Sequence, residues 1–301
     1  MSKIFFIFLI SFFSFRIVAQ TITYETDTVL CKYTLENGKL NGKYQSFYKN
    51  GIKKSEGNFE NNYRIGEWSL WDTAGVLLVK RDYRNPFVYD LIFPKLANEP
   101  PIKLLNKPVY EINYNKDNYI DYFNPTERSV LWKIKFFNKI KPKNNKLIFN
   151  NDRLYNVIKD NLLNGNIKAF TDYYYDESFL VDSLNLKENI LSFVIFEVIF
   201  FDLDRLVLEN RIIYLIIENK NGKKLWVYYK DLRTYLAKEK LLSDNLPDKI
   251  KTLDDLFFYR YYAGEYVEID SDNNNNHNEQ IENKDIYIIE KEHELWKYIM
   301  Y

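Results

Sequence analysis

The stretch LWVYYKDLRTYLAKEKLL, residues 225–242, begins with β-branched and aromatic residues and continues with residues that favour helices. Side chains alternate between the two faces of a strand, so the start of this stretch predicts one aliphatic and one aromatic face. The first face carries Leu225, Val227 and Tyr229, and the second carries Trp226 and Tyr228. We interpret the first face as core packing. For the second face, core packing and contact with a partner are both possible interpretations.

The residues before this stretch predict a sheet. Residues 190–201, 211–218 and 224–230 are rich in β-branched and aromatic residues, and the turn signal NKNG separates the second from the third. Residues 212–217 are apolar at both alternating sets of positions, as in strands that are covered on both faces. We therefore expect helices to lie over this sheet.

Four further segments of the second half predict helices. NPTERSVLWKIKFFNKIKP, residues 124–142, has Asn124 as a possible cap, Pro125 at the first helical position and Glu127 three residues after the cap. The other three are NDRLYNVIKDNLLNG (151–165), with Asp152 and Gly165 at its ends, TLDDLFFYRYY (252–262), with Thr252 and Asp255 as a capping pair, and IEKEHELWKYIMY (289–301). The second half is thus predicted to be an α+β domain, with an antiparallel or mixed sheet covered by helices.

A repeat of 24 residues lies between residues 33 and 83. NGKYQSFYKNG (41–51) aligns with IGEWSLWDTAG (65–75), which pairs Tyr44 with Trp68 and Phe47 with Trp71. Each copy predicts a short hairpin between turn glycines, so the repeats predict a small all-β module at residues 21–83. This pattern resembles MORN-like (YwqK-type) repeats, which serve as binding or spacing modules.

The segments before and after this module predict a signal for export and a linker. Residues 1–20 combine Lys3, an apolar run too short to cross a bilayer and small residues near Ala19, as in a cleavable signal peptide rather than a retained anchor. The single cysteine, Cys31, has no partner for an internal disulfide. Residues 84–108 are rich in proline and predict an extended linker before the α+β domain at residues 109–301.

The sequence offers few groups for catalysis, metal binding or nucleic-acid binding. Its 42 basic and 42 acidic residues balance, so no overall field attracts nucleic acid or an anionic membrane. His277 lies in an asparagine-rich loop, His293 lies between two glutamates, and the calcium-like spacing that starts at Asp270 lacks the required glycine and glutamate. We therefore predict no enzymatic activity, no cofactor, no metal and no small-molecule substrate.

Six segments, in the same order, resemble the GldN/PorN family of periplasmic ring subunits of type IX secretion and gliding motility. They are VLWKIKFFNKI (130–140), LYNVIKDNLLNGNIKAF (154–170), DLDRLVLENRIIYLIIE (202–218), LWVYYKDLRTYLAKEKLL (225–242), LDDLFFYRYYAGEYVE (253–268) and EHELWKY (292–298). The resemblance implies a non-enzymatic structural subunit at the outer membrane. It also implies a GldK/PorK-like outer-membrane lipoprotein as ring partner and a GldM/PorM-like inner-membrane motor component.

A ring requires a head-to-tail contact, and such contacts favour rigid aromatic anchors. The interface candidates are Trp132, Trp226, Tyr228, Tyr229, Asp254, Asp255 and Trp296. A second hypothesis makes the protein an exported binding module whose repeat aromatics, Tyr44, Phe47, Trp68 and Trp71, capture a protein or ligand. A third, a divergent hydrolase, would require a reaction that depends on His293.

Overall fold

A computed structural model describes residues 20–26, 28–36, 39–85, 88–95, 114–122, 124–171, 190–219, 222, 224–242, 246–270 and 284–296. The chain divides into two compact units, and the boundary falls between Lys95 and Leu96. The expected signal peptide (except for Gln20), the asparagine-rich loop with His277 and most of the calcium-like spacing lie outside the described residues. The α+β fold class predicted from the sequence is confirmed, with an all-β unit first.

The first unit is a single antiparallel sheet in which each strand pairs with the next along the chain. Its strands are β1 (Gln20–Glu25), β2 (Val29–Glu36), β3 (Lys39–Tyr48), β4 (Lys53–Glu60), β5 (Tyr63–Trp71), β6 (Leu77–Asn85) and β7 (Val88–Phe93). The 24-residue period thus corresponds to one hairpin of two strands. The sheet is longer than the two copies visible in the sequence, because β7 lies within the range expected to be a linker.

Aromatic side chains of successive repeats pack together on one face of this sheet. Tyr44 and Trp68 are fully buried, and each ring packs against Phe59, with ring centroids 5.7 and 4.9 Å apart. Gly57 lies directly under the indole of Trp68, whose Nε1 donates a hydrogen bond of 3.1 Å to the Asn58 carbonyl oxygen. Burial of each large ring contributes about 1.5–3 kcal/mol, so this cluster is a main source of stability for the unit.

Neighbouring repeats are also joined by hydrogen bonds between equivalent hairpins. The Tyr48 hydroxyl donates to the Trp71 carbonyl oxygen at 2.7 Å, and the Asn50 amide donates to the Thr73 carbonyl oxygen at 3.0 Å. The turns themselves need glycine, because Gly51 has a φ of 82°. Gly51 and Gly75 thus lie in hairpin turns, as predicted, whereas Gly42 and Gly66, which were also expected in turns, lie inside strands β3 and β5.

The second unit is built on a six-stranded antiparallel sheet with the order β13-β8-β10-β11-β12-β9. Its strands are β8 (Val130–Ile140), β9 (Ala169–Phe170), β10 (Ile190–Asp202), β11 (Val207–Asn219), β12 (Lys224–Tyr228) and β13 (Glu265–Asp270). The three predicted strands are thus confirmed as β10, β11 and β12, and Gly222, with a φ of 76°, lies in the turn between the last two. Residues 214–217 are all buried, as expected for a strand covered on both faces.

The helix predicted at residues 124–142 is wrong, because most of this segment forms strand β8. Its buried positions, Ile134, Phe136, Asn138 and Ile140, recur every second residue, and β8 pairs with both β10 and β13. The helix-start signals around Asn124 precede only a short 3-10 turn. Pairing with two neighbouring strands outweighs a local start signal, because β-branched and aromatic residues favour the sheet.

The helices of the second unit are α1 (Lys146–Phe149), α2 (Arg153–Leu163), α3 (Tyr229–Leu236), α4 (Leu253–Phe258) and α5 (Lys284–Leu295). Thr252 and Asp255 form the predicted capping box, in which the Thr252 Oγ1 accepts from the Asp255 backbone N–H at 3.2 Å. Asp152 precedes α2 as expected, but its φ is 53° and its side chain makes no capping hydrogen bond. Tyr229, predicted in the strand, starts α3.

We expect Gly57→Ala to destabilise the first unit, because a β-carbon at this position would overlap the ring of Trp68. Overpacking of this kind costs about 1–3 kcal/mol. Thermal unfolding followed by tryptophan fluorescence measures the effect. Asn58→Ala, at the exposed neighbouring position, is the matched control and should unfold like the unmodified protein. Equal unfolding temperatures for all three proteins would contradict the packing of Trp68 on Gly57.

Candidate functional site

The structure places the seven interface candidates in three environments. Trp132 and Tyr228 are half-buried, and Trp226 retains 8% exposure. The other four, Tyr229, Asp254, Asp255 and Trp296, are at most 1% exposed. The half-buried aromatics can therefore contact a partner directly, whereas the buried residues act by holding the fold; their roles at an interface stay predictions.

The aromatic face of the strand that opens LWVYYKDLRTYLAKEKLL belongs to a cluster of rings across four strands. We call Phe137, Phe196, Tyr214, Trp226 and Tyr228 the aromatic cluster. The Trp226 ring lies 5.5 Å from Tyr214, 6.1 Å from Phe137 and 6.2 Å from Phe196, and Tyr228 lies 5.6 Å from Tyr214. Its centre is buried and its two outer members, Phe137 and Tyr228, are half-buried. The sequence did not decide whether the face with Trp226 and Tyr228 packs in the core or contacts a partner. In the structure its centre is packed core, and only its edge is accessible.

A buried ion pair joins α3 to α4. The Arg233 guanidinium donates two hydrogen bonds to Asp254, from Nε to Oδ1 at 3.0 Å and from Nη2 to Oδ2 at 2.8 Å. The Tyr229 hydroxyl donates a third to Oδ1 at 2.9 Å. Burial raises the pKa of the Asp254 carboxyl, and Arg233 opposes this effect. Two-point pairing of this kind keeps both groups charged and fixes the angle between the two helices.

Aromatic rings surround the same guanidinium. The Arg233 carbon Cζ lies 4.4 Å from the Tyr119 ring centroid, 4.8 Å from Tyr122 and 5.5 Å from Phe258. Cation–π contacts of desolvated arginine contribute about 2 kcal/mol or more, so residues 119–122 are held against α3. The Arg233 guanidinium is therefore enclosed by aromatic rings and already paired with Asp254, so its role is structural.

Asp255, next to this pair, is also satisfied locally. Its Oδ2 accepts from the backbone N–H groups of Lys251 and Thr252 at 3.0 and 2.9 Å, and its Oδ1 accepts from the Tyr114 hydroxyl at 3.1 Å. The adjacent carboxylates of Asp254 and Asp255 thus serve two different structural purposes. Neither is arranged as an acid or base toward an open site.

A second buried charge lies in the sheet itself, at Glu197 in the middle of β10. Its Oε1 accepts from the Lys284 ammonium at 2.8 Å and its Oε2 accepts from the Arg260 Nε at 3.2 Å. Lys284 Nζ also lies 3.3 Å from the centroid of the Tyr266 ring and 4.3 Å from that of Phe136. Because Lys284 is the first residue of α5, this cluster ties the last helix to the centre of the sheet.

The charge state of the Glu197 cluster follows from its geometry. Burial would raise the pKa of Glu197, but Lys284 and Arg260 outweigh it and hold the pKa at about 2. Burial lowers the pKa of Lys284, which works against its own charge. Since its Nζ contacts a carboxylate and two aromatic rings, we take both partners as ionised at neutral pH. Sequence reasoning missed Glu197, although it is the single charged residue in the apolar run 190–201.

The histidine of α5, His293, belongs to the interior of the second unit. His293 is fully buried, with its Nδ1 3.3 Å from Glu290 Oε1 and its ring 4.9 Å from that of Trp296. The Trp296 Nε1 in turn donates to Glu292 Oε1 at 3.3 Å. Within the described residues, no group of three or more histidine, cysteine, aspartate or glutamate side chains is placed to hold a metal ion.

The four repeat aromatics divide between core and surface. Tyr44 and Trp68 are buried, whereas Phe47 and Trp71 are half-buried. Lysine ammonium groups lie 5.6 Å from both of the latter rings, Lys32 beside Phe47 and Lys53 beside Trp71. The surface of the repeat sheet therefore presents aromatic rings with adjacent positive charge.

The fold and these sites define the protein as a repeat sheet followed by an α+β unit that is organised by two buried ionic clusters. The model of the family described as "Gliding motility associated protein GldN" matches residues 175–298, less than half of the chain. This range spans β10 to α5 and includes four of the six segments that resemble the family. The match supports a gliding-motility-associated protein related to type IX secretion.

No curated protein matches the chain. The repeat sheet, β8 and α2 lie before the range matched by the family model. Across the described part of the chain, none of the helices combines the length and the apolar character needed to cross a membrane.

We expect Arg233→Met to destabilise the second unit by about 3–5 kcal/mol, because it leaves the Asp254 carboxylate buried without its partner. The double variant Arg233→Met/Asp254→Leu should recover much of this loss, since it removes both charges. Urea unfolding measures both values. Lys291→Ala, which breaks the half-exposed pair with Glu294, is the control and should cost about 0–1 kcal/mol. A single variant as stable as this control would contradict the buried pair.

Glu197→Gln should destabilise the protein in a pH-dependent way. The Glu197 pKa is about 2 in the folded state against 4.5 as its ordinary value. Its ionised form therefore stabilises the fold fully above pH 4.5, by about 3 kcal/mol, and this contribution disappears as the pH falls toward 2. Urea unfolding at pH 7, 4 and 3 should give a difference between the two proteins that narrows with falling pH. A constant difference would show that Glu197 is not held ionised by its neighbours.

Proposed function

We propose that this protein is a non-enzymatic structural subunit of a periplasmic ring complex that supports type IX protein secretion, gliding motility or both. The observation that carries this proposal is the match of the GldN family model to residues 175–298. The matched range contains the charged partners of both buried ionic clusters.

Such a subunit needs a surface that repeats around a closed ring. Trp132 and Tyr228 are half-buried aromatics of the kind that anchor protein contacts, and Leu131 is 39% exposed beside the first of them. The two buried ionic clusters fix elements of the second unit to one another, which reduces the entropy lost on association. We propose that these half-buried aromatics contribute to the subunit contact.

The same proposal assigns the protein a cellular location and two partners. The apolar N-terminal sequence directs the chain out of the cytoplasm, and the mature protein associates with the outer membrane from the periplasmic side. A GldK/PorK-like lipoprotein serves as the ring partner, and a GldM/PorM-like component connects the ring to the inner-membrane motor.

A second candidate function rests on the repeat sheet. The half-buried rings of Phe47 and Trp71, each beside a lysine, favour an exported binding module in which this sheet captures a protein or ligand. In that case the second unit presents the sheet and does not itself assemble.

Deletion of residues 21–95, the first unit without the predicted signal peptide, separates the two functions. We expect the shortened protein, produced with its signal sequence, still to co-purify with its envelope partners after cross-linking, because the family match lies entirely in the second unit. The full chain with Trp132→Ala and Tyr228→Ala should lose this association while it stays folded, with a lower unfolding temperature because both rings also pack on buried neighbours. A full-length protein that remains monomeric and partner-free in the envelope would contradict the ring subunit. Loss of the partner on deletion alone would favour the binding module.

A further inference from the structure

A cavity of about 410 Å³ opens between α2 and α3, on the second unit. Its volume lies in the range of about 300–1,000 Å³ that is typical of small-molecule sites. The residues that line it include Asn156 on α2 and Tyr235 on α3, together with Asn151 just before α2. The larger part of this cavity lies outside the range matched by the family model, and the ring proposal does not use it.

The charges around the cavity cancel. Arg153 and Lys238 supply two positive side chains, and Asp160 and Glu239 supply two negative ones. No net field therefore selects an anion or a cation. Charged residues are depleted at the centres of protein interfaces, so four charged lining residues also argue against a protein segment as the occupant.

Asn156 and Asn161 add side-chain amides that are held in fixed positions. The Asn156 amide nitrogen donates to the Asn151 carbonyl oxygen at 3.1 Å, and that of Asn161 donates to the Val157 carbonyl oxygen at 2.8 Å. These bonds orient the side chains before any ligand arrives, which lowers the entropic cost of binding. A guanidinium, carboxylates, amides and the Tyr235 hydroxyl together offer many donors and acceptors over a short distance.

We propose that this cavity binds a neutral saccharide that carries acetamido groups. A sugar presents closely spaced hydroxyl groups, each both donor and acceptor, which match the mixed donors and acceptors of the lining. The acetamido group adds an amide for the asparagine side chains and a methyl group for Val157, the aliphatic residue of the lining. The weakly apolar lining excludes lipids and other largely hydrocarbon ligands, because their burial requires apolar surface.

The experiment measures the binding of chitotetraose, an oligomer of β-1,4-linked N-acetylglucosamine, to the full mature chain by saturation-transfer NMR and calorimetry. Maltotetraose, which lacks acetamido groups, is the parallel probe. We expect a dissociation constant of about millimolar or lower for chitotetraose and at least about fivefold weaker binding of maltotetraose. Asn156→Ala and Asp160→Ala should each weaken chitotetraose binding by about fivefold, the effect of one lost hydrogen bond.

Both substituted positions are exposed on α2, so the variants should keep the unfolding temperature of the unmodified protein. Lys159→Ala, an exposed position on the same helix outside the cavity lining, is the matched control and should bind normally. The absence of binding by both sugars, or unchanged binding in both cavity variants, would overturn the proposal. Equal binding of maltotetraose would overturn the acetamido assignment. Ring assembly is measured separately, by cross-linking, so either proposal can fail without the other.

Discussion

The second unit depends on the neutralisation of one carboxylate in the middle of its sheet. An isolated charge in such a position is strongly unfavourable, and removal of one partner from a buried pair costs several kcal/mol. Glu197 is stabilised because Lys284 and Arg260 reach it from two later segments of the chain. Strand β10, the turn that follows α4 and the last helix must therefore come together for the unit to be stable.

The Arg233–Asp254 pair applies the same physics between two helices. Its two parallel hydrogen bonds, the Tyr229 hydroxyl and the surrounding rings satisfy a guanidinium that is 3% exposed. A hydrophobic contact of the same area would be less directional, since apolar contacts allow sliding. Specific geometry around both charges is consistent with a subunit that must present the same surface in every copy of an assembly.

The two units use different sources of stability. The repeat sheet relies on aromatic rings that pack against each other between hairpins, and the absence of a side chain at Gly57 leaves space for Trp68. The second unit adds buried charge to an apolar sheet. The family match falls on the second unit alone. An added repeat sheet is therefore a separate feature, and its half-buried Phe47 and Trp71 are where a function specific to this chain would be sought.

The sequence by itself determined the features with a strong local signal: the repeat period, the three central strands, the capping box of Thr252 and Asp255, and the α+β class. Tertiary structure decided the rest. Residues 130–140 became a strand because two neighbouring strands pair with them, and Glu197 found partners 63 and 87 residues further along the chain. Local sequence encodes propensity and period, whereas strand pairing and the neutralisation of a buried charge depend on residues that only folding brings together.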